Sequence, residues 1–78
     1  MKKENLEKII KIVSNTIGVQ ENEIGINSKA TDFFKWDSLG QVTIMVKIEK
    51  MLKKKIPTSK ISELNSVKKI FEYVSKNQ

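Results

Sequence analysis

Apolar positions recur at helical spacing in three separate stretches of the chain, and no stretch shows the two-residue alternation of a half-buried strand. Leu6, Ile9, Ile10, Val13 and Ile17 share one face, an arc of roughly 100° at about 100° per residue. Gly18 follows directly as a stop, so a first helix is predicted over about residues 3–17. A second begins around Ser38 and runs to about residue 54, ending before Pro57, which disfavours helix at Ile56. One short helical turn fits residues 59–63. Asn65 or Ser66 then caps a last helix, whose Val67, Ile70, Phe71 and Val74 recur at i, i+3, i+4 and i+7. From Val19 to Asp37 no period is sustained. Asn22, Gly25, Asn27 and Ser28 are turn formers there, and Ile24, Ile26, Phe33, Phe34 and Trp36 are expected to anchor this long connection onto the rest. The pattern is that of an all-α fold, a four-helix bundle of three longer helices and one short one.

The second helix is apolar on two sides. With Leu39 set at 0°, Ile44, Met45, Ile48, Met51 and Leu52 span roughly 120° to 240°, the predicted core stripe. Leu39 and Val46 lie within about 20° of 0°, almost opposite, beside Thr43 and Lys50, with Val42 on the flank. Apolar side chains on the outward face of so small a domain make a candidate docking patch.

Composition narrows the chemistry. Seventy-eight residues form one domain, read here as a stand-alone unit over residues 1–78. There is no Cys and no His. That removes disulfides, thiolate and imidazole metal sites, the usual general base and the only native thiol. No metal site is expected, and the scattered acids show no calcium-loop spacing. The net charge of +6 favours anionic partners in principle. Yet all 15 basic residues are lysines, so the guanidinium fork most used to read guanine is missing. No stretch approaches the ~20 apolar residues that span a bilayer, and neither a signal-type core nor a lipidation box is present. A cytoplasmic protein without a membrane or nucleic-acid partner is expected.

Ser38 is the candidate functional residue. It stands where an apolar loop ends and the second helix begins, with no base near enough in sequence to activate it. Two local arrangements are open. Ser38-Leu39-Gly40-Gln41 matches a Ser-x-x-Gln capping box; alternatively Asp37 is the cap and Ser38 sits in the first turn with its hydroxyl free. In either case a helix N-terminus favours negative charge, so a phosphate-linked group suits this position.

Trp36-Asp37-Ser38-Leu39-Gly40, after a long anchored loop and before an amphipathic helix that ends at Ile56-Pro57, resembles the acyl carrier proteins and related peptidyl carrier domains. Gly18-Val19 after the first helix, Ile24 in the loop and Ser66-Val67 opening the last helix extend the resemblance over nearly the whole chain. The resemblance implies a four-helix bundle whose Ser38, flanked by Asp37 and Leu39, carries a 4′-phosphopantetheine arm installed from coenzyme A by a phosphopantetheinyl transferase. Acyl or aminoacyl groups then ride on the arm as thioesters, which suits a chain with no thiol of its own. It further implies a non-catalytic protein, expected to be a monomer, that serves acyl ligases, acyltransferases or ketosynthases in fatty-acid, polyketide or related biosynthesis. Leu39, Thr43, Val46 and Lys50 inherit the partner-facing role, and Ile44, Met45, Ile48 and Ile61 the shelter for a short acyl chain.

One departure bears on partners. Free-standing acyl carriers usually have an acid-rich second helix, whereas this one carries Lys47, Lys50, Lys53, Lys54 and Lys55 against Asp37 and Glu49. Enzymes that select an acidic helix should bind it poorly, which points to a dedicated carrier in a specialised pathway. The competing reading is a small basic helical module that binds nucleic acid or protein without modification.

Overall fold

The computed structural model describes residues 2–78, apart from the side chain of Lys2. Four helices follow in order: α1 (Lys2–Ile17), α2 (Ser38–Leu52), α3 (Thr58–Ile61) and α4 (Val67–Asn77). α1 packs on both α2 and α4. Their facing stripes meet in one core of Ile9, Val13, Ile17, Ile44, Met45, Ile48, Val67, Ile70 and Val74, none of them more than 1% exposed. The stripes are those of the predicted helices, and the all-α bundle is as expected. Burial of this set is the main stabilising term in a domain this small.

The helix ends follow local chemistry. α1 stops where Gly18 adopts φ 74°, which places the Gly18 and Val19 amides on the Ser14 carbonyl. α2 is shorter than predicted. Lys53 turns left-handed at φ 58° and its amide closes on the Glu49 carbonyl at 2.7 Å. α2 thus ends five residues before Pro57, and the Glu49 carboxylate holds the segment that follows by accepting the Ile56 amide at 2.8 Å. α3 starts one residue earlier than predicted, directly behind Pro57. Ser66, one of the two expected caps, accepts the Lys69 amide at 3.1 Å and opens α4.

The long connection between α1 and α2 is not featureless. It contains two single 3₁₀ turns, Glu21–Glu23 and Ala30–Asp32. It is also pinned to the start of α4 by a two-bond clamp: Ala30 donates to the Asn65 carbonyl at 2.9 Å and Val67 to the Ser28 carbonyl at 3.0 Å. Ile24 and Trp36 are buried, and Ile26 and Phe33 are partly so. Phe34, expected as an anchor, is 99% exposed and corrects that expectation. Phe33 and Trp36 take up the inward positions, and the intervening backbone carries Phe34 out to solvent.

At the opposite end of the bundle the first turn of α1 meets the end of α4. Asn5 donates to the Gln78 side chain at 2.6 Å and accepts from it at 3.1 Å. Lys54 Nζ, just past α2, donates to the Asn77 carbonyl at 2.8 Å.

Candidate functional site

The loop-to-helix junction is organised by its neighbours rather than by Ser38. Asp37 is the N-cap: its Oδ1 accepts the Gly40 amide at 2.9 Å, and its carbonyl accepts the Gln41 amide at 2.8 Å. The Ser-x-x-Gln box is therefore not formed, and the alternative with Asp37 as cap is the arrangement present. Ser38 becomes the first residue of a 15-residue helix, exposed, with its hydroxyl bonded to nothing among the described residues. Close packing holds the junction in place. A Cβ on Gly40 would lie 2.8 Å from the Lys35 carbonyl oxygen, so the loop backbone rests directly on the first turn of α2.

Gln41 does different work from a box residue. Its Oε1 accepts from Trp36 Nε1 at 2.7 Å, and its Nε2 donates to the carbonyls of Ile61 and Leu64, both at 2.7 Å. One side chain thus ties the loop, α2 and the α3 segment together, with both N–H groups of its amide and one lone pair of its oxygen used. Sequence reasoning missed this role for Trp36 and Gln41. Their spacing of five residues at a helix start was the one signal available. Beside Ser38 these residues line an open cleft of about 420 Å³ together with Ala30, Val42, Ile61, Ser62 and Asn65.

The outward face of α2 matches the helical-wheel reading. Leu39 is 75% exposed, Val42 48% and Val46 44%; with Phe34 these are the large exposed hydrophobics among the described residues. Thr43 is half-buried, its hydroxyl donating to the Leu39 carbonyl at 2.9 Å, and Lys50 is exposed. Of the four side chains expected to shelter a chain, Ile44, Met45 and Ile48 are packed into the core. Only Ile61 borders the cleft.

Charge on this side is one-sided. Asp37 and Glu49, the two acids between Phe33 and Pro57, are both spent on backbone amides. The only ion pair among the described residues, Lys60 with Glu63 at 3.5 Å, lies elsewhere. Lys35, Lys50, Lys53 and Lys55 therefore face solvent without a carboxylate partner.

A helical bundle that presents a free serine hydroxyl at the head of its second helix is the architecture of a carrier domain. The family model described as "Phosphopantetheine attachment site" matches residues 7–74. The chain is 31% identical over 71 residues to an acyl carrier protein of Syntrophobacter fumaroxidans (strain DSM 10017 / MPOB), across 91% of this chain and 88% of that one. It is 28% identical over 78 residues to an acyl carrier protein of Rickettsia bellii (strain RML369-C), across 99% of this chain and 91% of that one. The chain belongs to the acyl carrier protein family, and its cofactor is 4′-phosphopantetheine.

The junction fits that group. A phosphodiester needs an accessible hydroxyl, and Ser38 offers one at a helix start that favours the negative charge. No helix among the described residues is long and apolar enough to cross a membrane.

Proposed function

We propose that this protein is a non-catalytic carrier whose Ser38 hydroxyl is the attachment point of the arm. The observation that supports this most is the unbonded, exposed hydroxyl of Ser38, left free because Asp37 has taken the capping role. In the loading step a phosphopantetheinyl transferase brings coenzyme A to the junction. Ser38 Oγ forms a bond to the phosphorus of the pantetheine phosphate, the phosphoanhydride bond breaks, 3′,5′-ADP leaves, and the hydroxyl proton passes to the transferase or solvent. The arm supplies the thiol that the chain lacks, on which acyl or aminoacyl groups are carried as thioesters. Asp37 and Leu39 frame the attachment point for the transferase.

Leu39, Thr43, Val46 and Lys50 form the partner-facing surface. Its apolar centre suits a protein groove, and its unpaired lysines suit partners poor in basic and rich in acidic groups around that groove. Acyl ligases, acyltransferases or ketosynthases of a specialised fatty-acid, polyketide or related pathway in the cytoplasm are the proposed partners of a monomeric carrier. Ile61, at the cleft beside Ser38, is positioned to touch a short cargo. Ile44, Met45 and Ile48 could reach one only if the bundle opened.

The test is incubation with coenzyme A and a broad-specificity phosphopantetheinyl transferase, followed by intact mass. One phosphopantetheine should be added to the parent and none to Ser38→Ala. An unmodified parent, or a modified Ser38→Ala, refutes the assignment.

A further inference from the structure

We propose that Gln41 is a positioning residue that holds the α3 segment as a fixed wall of the cleft beside Ser38. α3 has four residues, none of them buried, and a helix that short has little stability of its own. Ile61 packs partly on the core, and Ile56 and Leu64 are buried on either side of the segment; what fixes its backbone against α2 is the Gln41 amide. Its two N–H groups reach the carbonyls of Ile61 and Leu64, which bracket the end of the segment, and its oxygen is fixed in turn by the buried Trp36 indole. Gln41 is only 9% exposed and Trp36 only 3%. Releasing the wall would therefore leave the largely buried Gln41 amide without its carbonyl partners, which costs more than the bonds themselves contribute. The indole and the wall are both held by the same amide, so the cleft keeps one width. This inference rests on the proposed attachment at Ser38 only for the use of the cleft: a group carried there meets a wall whose position is set by one side chain.

The test uses the unmodified chain, so its outcome is independent of whether the arm is added. Native-state hydrogen exchange is followed at the Lys60, Glu63 and Leu64 amides, which close the segment's own turns onto Pro57 and Lys60 carbonyls. In the parent these amides should be protected well beyond an isolated turn. Gln41→Glu keeps an acceptor for the indole but turns an acceptor towards two carbonyls. Protection at the three amides should then fall by about 10–100-fold, while amides inside α1 and α4 keep their parental values. Quenching of Trp36, the only tryptophan, by acrylamide should rise severalfold in the same variant. Trp36→Phe keeps both wall bonds but leaves Gln41 Oε1 without its donor, so protection of the three amides should fall by less than in the Gln41 variant. Should Gln41→Glu not fold, Gln41→Asn, too short to reach both carbonyls, is read in the same way. Open-chain exchange in the parent, parental protection in the Gln41 variant, or an equal loss in all helices would each overturn the proposal.

Discussion

Lys35 and Gly40 approach so closely that only a hydrogen fits between the loop carbonyl and the helix, with 2.8 Å from that oxygen to a would-be Cβ. Ordinarily alanine stabilises a helix interior by about 0.5–1 kcal/mol over glycine. Here the clash is with backbone, which yields less easily than a side chain and typically costs about 1–3 kcal/mol to accommodate. Gly40→Ala should therefore be net destabilising in urea unfolding. It should also slow arm addition by the transferase, because Ser38 lies within the displaced turn. A stabilised Gly40→Ala would show that the loop does not rest on the helix.

The division of labour between Asp37 and Ser38 is measurable as stability. Asp37→Ala removes the cap and should cost about 0.5–2 kcal/mol. Ser38→Ala removes a hydroxyl with no partner and should stay within about 0.5 kcal/mol of the parent. Equal losses for the two would mean that the serine shares the capping role.

Phe33 and Phe34 are adjacent yet should respond in opposite ways. Phe33 packs against the core, so Phe33→Ala should cost about 1–3 kcal/mol, less than a fully buried ring. Phe34→Ser should change stability by less than about 0.5 kcal/mol, since the ring is 99% exposed. Thermal midpoints of the two variants decide it.

Reversing Lys50 and Lys53 to glutamate breaks no ion pair of the described residues. Near a helix C-terminus the new carboxylates should cost no more than about 1 kcal/mol each. Turnover with enzymes that normally serve acidic carriers should rise, and more so at low salt. Unchanged turnover would indicate that these lysines do not govern partner choice.

Periodicity made α1, α2 and α4 legible because each buries one continuous stripe, and local turn chemistry located their starts to within a residue or so. The free Ser38 was legible as one of two arrangements, and the residues alone did not decide between them. What stayed hidden depends on pairings far apart in sequence. Gln41 finds its carbonyl partners 20 and 23 residues away, and Ser28 and Ala30 find theirs across the bundle at Val67 and Asn65. No local pattern encodes such meetings. Phe34 was misread for a related reason: in an aperiodic loop, hydrophobicity says that a ring prefers burial but not which of two neighbours obtains it.

The Asn5–Gln78 amide pair and the Lys54–Asn77 bond gather the first turn of α1 and the end of α4 at the far pole of the molecule from the serine. The 15 residues of α2 alone separate the two poles by about 22 Å. A fluorophore, an immobilising bead or a fused enzyme joined after Gln78 would consequently hang behind the working tip, leaving the hydroxyl facing whatever approaches from the front.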